Sequence, residues 1–500
     1  MDELSDLVFW SVRVSRLTPL KPAVPTHCAH LTSLILVWMS LVSLAPSAHA
    51  NEPDWKGTLA AESHVGVLQE DVFLGLYLQL NQSFALPQVG ARLLPSEQRS
   101  SSTALSLSLQ APLRLRLADR APVQGTLLRE QDWDQPRDVL RVLRRLAYGE
   151  AGSPLHIQAG ELNSITLLDG QLIANYYNVV SPDEPATGVV VSSSTRSYDA
   201  ALMLGDVLSP SVMAAEIKLR PATIFNAKHN FLRRFALGVG LTSDIQAPTA
   251  LALDERGFIE VDATSSPSVL ESQATWIGGP ELQAWLVTRP KVSLSFESSV
   301  FWHDRLGRGE HVGLSLQLMS LYWMKIQLKS SVVFAHDRYV PHYISPLYQV
   351  ERFQVDGFGV ALPETKLQAV AGMTPRDDMY VDSSFTLVLP TLQSSLFINY
   401  LHSNVTPMGS AVTAKLDVAP HKLVNLSAFY HQNLFDGPKQ ALKLRRSLIG
   451  SELRVMPWGP LYAVARYDRL WRLRDDGLWS SVQNWNIGVG AQWAFEAYTR

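Results

Sequence analysis

Residues 104–118 read ALSLSLQAPLRLRLA. Leu105, Leu107, Leu109, Leu113, Leu115 and Leu117 fall on odd positions, with Ala111 between them. Ser106, Ser108, Gln110, Pro112, Arg114 and Arg116 take the even ones. Consecutive side chains of a strand point to opposite faces. The pattern therefore predicts a strand with one leucine face and one serine–arginine face. Pro112 has no N–H to give to a ladder, which predicts a bulge at that point. If the stretch were instead a hairpin, each arm would be too short to span a bilayer.

The same alternation recurs in VFLGLYLQL (72–80), VSLSFESSVFW (292–302), HVGLSLQLM (311–319) and YWMKIQLKSSVVFA (322–335). It continues through VDSSFTLVL (381–389), LQSSLFINYL (392–401), AVTAKLDV (411–418), LVNLSAFYH (423–431), SLIGSELRV (447–455), LYAVARYDRLW (461–471) and VQNWNIGVGAQWAF (482–495). Most runs exceed the five or six residues usual for soluble strands and suit a tilted strand crossing a bilayer. The links alternate in length. Short ones at 288–291, 319–321, 389–391, 419–421 and 456–460 separate longer ones at 303–310, 336–352, 402–410, 431–443 and 473–480. A polar link of some forty residues is expected at 243–281. In an up-and-down sheet, alternate links lie at opposite ends, so this predicts tight turns at one end and long loops at the other, as in outer-membrane barrels. A soluble Greek-key sandwich has no reason to show it.

The fold class expected is all-β: a transmembrane antiparallel up-and-down barrel of about 18 strands (16–20), spanning 71–496, with its leucines on lipid and its polar face on the lumen. Trp302, Tyr322, Trp323, Tyr380, Tyr400, Tyr430, Tyr462, Trp471 and Trp493 cluster toward strand ends, where interfacial girdles form. One stretch breaks the pattern. QDWDQPRDVLRVLRRLAYG (131–149) predicts a short amphipathic helix from about Pro136 to a stop at Gly149, with Arg137, Arg141, Arg144 and Arg145 on its basic side. It would serve as a plug, a lid, a piece lying on headgroups, or a helix packed on the barrel rim.

The N-terminus refines the picture. LTSLILVWMSLVSLA (31–45), followed by Ala48-His49-Ala50, reads as a secretory signal peptide cut after Ala50. The first residues form an unusually long lead, which points to a start downstream of Met1; an uncleaved signal anchor is the alternative. Residues 51–70 are read as an N-terminal segment and 497–500 as a tail. The single cysteine, Cys28, precedes the apolar run and so suits neither a disulfide nor lipid attachment. A formal charge of −3 gives no electrostatic case for nucleic acid.

Two resemblances follow from particular residues. The last strand resembles the C-terminal signal read by the barrel-assembly machinery, polar-x-Gly-x-x-aromatic-x-aromatic. Gly490, Trp493 and Phe495 match it, Gly488 stands at the polar position, and EAYTR trails beyond. The resemblance implies that machinery, and outer-membrane lipid, as partners in a Gram-negative bacterium. The stretches PLRLRLADR (112–120), REQDWDQPRDVLRVLRRLAYG (129–149) and GELNSITLLDGQLIANYYN (160–178) resemble a group of uncharacterised predicted outer-membrane proteins of myxobacteria and relatives. That likeness implies a fold and a place, and no activity.

Candidate chemistry sits on the polar faces. Arg114, Arg116, Glu216, Lys218, Lys325, Lys329, Glu452, Arg454 and Arg466 are expected to line the lumen, with Glu297, Lys415, Asp417 and Asp468 beside them. Both signs occur, which suits either a wetted constriction or cross-strand ion pairs. His303-Asp304-Arg305 and His336-Asp337-Arg338 repeat where strands leave the apolar zone. Such rims would hold a metal or an anionic solute, or simply hydrogen-bond one another at headgroup level. NYYNVVSPDEP (175–185) reads as an external loop whose tyrosines would stack on a sugar or peptide. No hydrolase signature, cofactor site or metal site is read. The expected function is passage of a small solute through the lumen, with the 131–149 helix and the 243–281 loop narrowing it. The alternatives are a closed barrel acting as anchor, receptor or assembly component, and a soluble secreted β-protein. Oligomeric state is left open.

Overall fold

The computed structural model describes residues 55–68, 71–86, 103–118, 128–129, 132–133, 136–179, 185–225, 231–257, 259–260, 267–320, 323–353, 364–403, 409–421, 423–435, 440, 447–473 and 479–497. The signal-peptide reading over 1–50, residues 498–500 and part of the 175–185 loop lie outside them.

In chain order the strands are β1 (Trp55–Leu68), β2 (Asp71–Leu86), β3 (Thr103–Ala118), β4 (Leu143–Tyr148), β5 (His156–Gly160), β6 (Ile165–Leu167), β7 (Ile173–Tyr176), β8 (Gly188–Ser194), β9 (Tyr198–Leu204), β10 (Val212–Leu219) and β11 (Phe235–Leu251). They continue as β12 (Val269–Arg289), β13 (Val292–His303), β14 (Gly307–Ser320), β15 (Met324–Asp337), β16 (Asp378–Leu389), β17 (Ser394–Ser403), β18 (Ser410–His421), β19 (Val424–Phe435), β20 (Ser447–Trp458), β21 (Leu461–Leu473) and β22 (Trp479–Ala497). Among the described residues, four short helices intervene: α1 (Pro136–Leu140), α2 (Pro221–Ile224), α3 (Tyr348–Glu351) and α4 (Lys366–Gly372).

Twenty strands form one antiparallel sheet, and β6 and β7 pair separately. Wall neighbours are consecutive in sequence, except that β5 pairs β8 across the inserted β6–β7 hairpin. The sheet closes because β1 pairs β2 on one side and β22 on the other, from Trp55↔Ala497 to Val67↔Trp485. Closure leaves no edge, the only arrangement in which an all-β wall satisfies its backbone away from water.

Side chains sort by parity. Leu115 and Leu117 are 37% and 57% exposed, while Arg114 is 8% exposed. Across the wall Leu59, Leu78, Leu202, Leu237, Leu314 and Ile487 are exposed in the same way. Glu62, His64, Asp244, Glu281, Glu297 and His311 are buried on the inner face. The apolar face is outside and the charged face inside, the reverse of a water-soluble fold.

Among the described residues, an apolar core cluster sits in the lumen. The insert between β5 and β8 contributes Leu162 and, from its hairpin β6–β7, Leu167, Leu168, Leu172, Ile173 and Tyr176. The segment between β15 and β16 contributes Tyr339, Val340, Tyr343, Ile344, Tyr348 and Val370. A parallel bridge Ile173↔Ile344 joins the two inserts. They pack on inward residues of the wall such as Val212, Ile277, Phe301 and Val333. We call this pair of inserts the plug.

Several expectations are corrected. The wall has 20 strands because β4, β5, β8 and β9, of six, five, seven and seven residues, are shorter than the runs by which strands were recognised. It begins at Trp55, since β1 belongs to the barrel. The 131–149 helix shrinks to Pro136–Leu140, and Leu143–Tyr148 becomes β4. A helix this short has little stability of its own, whereas β4 pairs with Leu105–Leu109 of β3. Gly149 then turns the chain toward β5 with φ 76. The 243–281 loop is largely strand: β11 and β12 run on to Leu251 and from Val269, leaving a link of 252–268. Register shifts at Asp244/Ala247, Pro248/Ala250 and Ala250/Leu251 break the alternation that would have revealed them. The 303–310 loop is a tight turn over 304–306, made possible by Arg305 (φ 54) and Gly307 (φ 152).

Loop asymmetry therefore holds with exceptions. The links 290–291, 390–393 and 459–460 are tight at one end, and 252–268 and 338–377 are long at the other. The exceptions are the close pairing Leu68↔Asp71 and the 304–306 turn at the long-loop end, and the long spacing between β10 and β11 at the short-turn end.

Pro112 causes no bulge. It faces Tyr77 in unbroken register with β2. Gln110 donates to Val142 O, and Arg114 O accepts from Arg129 N, so even residues of β3 present their backbone groups to the β4 side. The strand β4 ends at Leu143, opposite Leu109. The N–H that proline lacks would point where the ladder has already stopped, the position sheets tolerate.

Asn178 closes the wall above the short strands. Its Oδ1 accepts from Leu162 N at 2.8 Å, and its Nδ2 donates to Gly205 O at 2.9 Å and Ala186 O at 3.2 Å. Asn178→Leu keeps the volume and leaves these buried groups without partners. A loss of about 3 kcal/mol is expected, read as a lower temperature at which the folded form disappears on a semi-native gel. An unchanged midpoint would show that Asn178 does not hold the strand ends.

Candidate functional site

The site is the lumen beside the plug. The plug is seated in sockets that glycine leaves in the wall. A Cβ at Gly240 of β11 would lie 2.2 Å from Leu168 Cδ1, one at Gly188 2.4 Å from Leu162 Cδ1, and one at Gly309 2.2 Å from the Tyr339 ring. Leu168 and Asp169 at the hairpin tip have φ of 45 and 51, so two non-glycine residues enter the left-handed region ahead of Gly170 (φ 86). Such strain persists only where surroundings hold it.

An ion-pair clasp supplies that hold. Lys218 of β10 reaches Asp169 at 2.7 Å and Glu281 of β12 at 3.3 Å. Lys329 of β15 reaches Glu297 of β13 at 2.6 Å and Asp169 O at 2.7 Å. Glu216 accepts from Leu168 N, and Gln171 is held by Ser299 and Glu297. Burial would push the Asp169 carboxyl up, but Lys218 and Lys329 outweigh it and hold the group below its usual range. Asp169, Glu281 and Glu297 lie within 4.8 Å of one another, as the ligands of a cation would. The two lysines already occupy that space, so the arrangement fits an ammonium clasp rather than a metal centre.

The second insert is held as firmly. Tyr348 donates to Asp244 at 2.8 Å, and Arg352 pairs with the same carboxylate at 3.3 Å. Lys366 Nζ lies over the Tyr343 and Tyr348 rings and donates to Glu351 at 2.8 Å. Burial raises the Glu351 carboxyl, and Lys366 brings it below its ordinary value.

Between the plug and the walls β2–β3 and β18–β21 lies a cavity of about 730 Å³. One side carries Arg114, Arg141, Arg144, Glu452, Arg454, Arg466 and Asp468; the other carries Tyr177, Val179, Pro185, Pro346 and Leu347 from the inserts. The arginines are each paired with a carboxylate. Arg114 meets Asp132 at 2.7 Å and Tyr77 Oη at 3.1 Å. Arg466 meets Glu452 at 2.7 Å and both oxygens of Glu62. Arg454 meets Glu452 at 3.3 Å and lies over Tyr462, and Arg144 pairs with Glu161.

The residues expected to line one lumen thus divide into groups. Arg114, Glu452, Arg454 and Arg466 line the cavity; Glu216, Lys218 and Lys329 clasp the plug behind it. Arg116 pairs with Asp71 at 3.4 Å, and Lys325 is an exposed residue at the short-turn end.

The two His-Asp-Arg triplets do not form a common site. His303 is buried inward, with Nε2 3.1 Å from Thr275 Oγ1 and its ring against Tyr343. His336 lies on the opposite face, with Asp377 at 2.8 Å and Glu310 at 3.9 Å. Asp304 and Arg305 belong to the tight turn, Asp337 has φ 62, and Arg338 donates to Met373 O at 2.6 Å. Through β14, His303 stands in line with Gly307 and Asp337, so His336, one residue before Asp337, points to the other face. In NYYN, Tyr176 is buried in the plug, while Tyr177 packs on Phe429 of β19 with ring centres 4.8 Å apart. Tyr380 and Tyr462, expected in a girdle, face inward and are buried; Trp302, Trp323 and Trp493 are exposed. Side chains of Tyr322 and Trp471 lie outside the described set. At the C-terminal signal Trp493 is exposed, Phe495 covers Gly57 of β1, and Gly490 makes room for the Tyr462 ring.

Glu62, Tyr77, Asp132 and Glu161 were not anticipated. Even positions of β1 (Ala60, Glu62, His64) do alternate with Leu59, Ala61, Ser63 and Val65. That signal was available, but small residues on both faces weaken it.

No family model matches the chain, and no curated protein matches it. Among solved structures, the chain is similar to OccK11 (OpdR) of Pseudomonas aeruginosa, at 10% identity over 89% of this chain and 96% of that one, with a TM-score of 0.32. OccAB2 of Acinetobacter baumannii matches at 11% identity over 89% and 98%, TM-score 0.30. Pseudomonas aeruginosa OpdK, solved with vanillate, matches at 10% over 88% and 99%, TM-score 0.30. The barrel assignment rests on the closed ladder of this chain itself.

Removing one side of a buried ion pair costs about 3–5 kcal/mol. The double variant Lys218→Met, Lys329→Met should therefore loosen the hairpin tip, with faster proteolysis within 161–179 in detergent. A cleavage rate equal to the parent's would show that the glycine sockets alone seat the plug.

Proposed function

We propose that the protein is a narrow channel in the outer membrane of a Gram-negative bacterium, reached after signal-peptide cleavage near Ala50 and insertion by the barrel-assembly machinery. A small polar solute passes by diffusion along the cavity beside the plug. The observation that carries this reading is a closed, apolar-outside barrel whose lumen holds a cavity of about 730 Å³ lined by charges. A core of this size needs no charged wall for stability, and buried pairs are weak stabilisers. A wetted path gives the ten or so ionised groups a reason to be there. Because each arginine of the wall has a carboxylate beside it, the path suits a neutral or zwitterionic solute better than a simple anion. Arg114, Glu452, Arg454 and Arg466 are the residues that set preference.

The seated plug favours one second reading, a closed barrel that acts as a surface anchor or receptor. Gly450 of β20 separates the two. It faces the cavity, and a Cβ there would meet only Asp468 Oδ1, at 3.4 Å. Gly450→Trp should fill the path and reduce swelling of proteoliposomes in a small zwitterionic amino acid at least about fivefold. Equal swelling of parent and variant at the rate of protein-free vesicles would favour the closed barrel. A further expected outcome concerns charge: Glu161→Gln with Glu452→Gln leaves Arg144 and Arg454 unmatched, and the zero-current potential in a salt gradient should move toward anion preference.

A further inference from the structure

We propose that the two described ends of the link between β10 and β11, 220–225 and 231–234, form an interfacial anchor that enters the phospholipid leaflet at the short-turn end of the barrel. Its phenylalanines reach the acyl boundary and its arginines meet lipid phosphate. The proposal rests on the membrane reading above.

Links at this end are tight at 290–291, 390–393 and 459–460, whereas this one runs from Arg220 to Arg234. A turn that only reverses the chain has no need of the extra residues. Those described carry large apolar side chains in the open: Phe225 is 79% exposed, Phe231 68%, and Ile224 and Leu232 are exposed as well. Four such residues grouped on one link mark a contact surface rather than scattered surface hydrophobics.

What covers them follows from where they sit. Leu219 and Leu237 are paired at the base of β10–β11, and both are on the exposed outer face. Phe235 shares that face by parity, and the Phe231 ring packs on it edge-to-face with centres 4.9 Å apart. The Phe231–Phe235 pair is thus continuous with the lipid-facing belt, and α2, which Phe225 directly follows, lies against the 232–234 turn beside it. Arg234 Nη1 donates to Leu286 O at 3.4 Å, and Leu286 is itself exposed. Arg233 and Arg234 are therefore set at the belt's edge, both exposed. Aromatic rings against acyl chains with guanidinium groups at phosphate height is the arrangement that binds a segment in a bilayer interface. A soluble partner would also cover phenylalanines, but it would have to rest on surface that continues into lipid.

The test uses the full chain with Cys28→Ser, which removes its one cysteine. Nitroxide is attached at Phe225→Cys, at Leu314→Cys on the outer face, or at Lys291→Cys in a tight turn of the same end. Each protein is reconstituted in phosphatidylethanolamine–phosphatidylglycerol vesicles. Relaxation enhancement by oxygen is compared with that by a water-soluble nickel chelate. The expected result is oxygen-dominated relaxation at 225, as at 314, with nickel dominant at 291. Adding Arg233→Glu and Arg234→Glu should shift position 225 toward nickel. Nickel dominance at 225 with oxygen still dominant at 314 overturns the anchor and leaves the barrel in lipid. Nickel dominance at both 225 and 314 overturns the anchor and the membrane reading together. No shift on adding the two glutamates overturns the phosphate contact.

Discussion

In hydrocarbon there is no water to accept a backbone N–H, so each strand of this wall must have a neighbour on both sides. The pairing of β1 with β22 meets that requirement, and the rest of the structure follows from it. A closed sheet has only two faces, one on lipid and one on the lumen. The strict alternation of ALSLSLQAPLRLRLA is the sequence form of this division. Where regular strands run out above β4, β5, β8 and β9, the same requirement reappears locally. Asn178 answers it, giving its amide to backbone groups that would otherwise have been ladder partners.

The lumen then behaves like the interior of a second, smaller protein. Its apolar core comes from two inserts and from the inner wall, with glycines of the wall shaped as sockets. Its polar groups are matched nearly one to one: Lys218 and Lys329 at the hairpin tip, Arg352 and Lys366 at the second insert, Arg114 and Arg466 on the cavity wall. Seating the plug against β10–β15 leaves free space on the side of β2–β3 and β18–β21, where the cavity is found. Position of plug and position of path are therefore one fact.

Much of this was legible in the residues. Alternation in a chain whose average hydropathy is near zero announced a barrel, and parity alone assigned Arg114, Lys329, Glu452 and Arg466 to the inside. What the sequence hid was tertiary. Ile165–Tyr176 is a short apolar hairpin, and nothing local says that it turns into the barrel, because its partner Ile344 is far away in sequence. The RDVLRVLRRLAYG stretch has helical spacing, yet the open side of β3 draws half of it into a strand. Pro112 looked like a defect only while β4 was unknown. The paired state of the arginines was also invisible, since Asp132, Glu62 and Glu161 come from segments without strong periodicity.

Single-channel recording of the purified, folded protein in a planar bilayer tests the central claim most directly. The account predicts small, stable conductance steps with weak ion preference, from a path that is permanently narrowed by a seated plug. A folded, membrane-inserted protein that passes no current would contradict it. So would large steps typical of an unobstructed pore, because they would mean that the plug does not occupy the lumen.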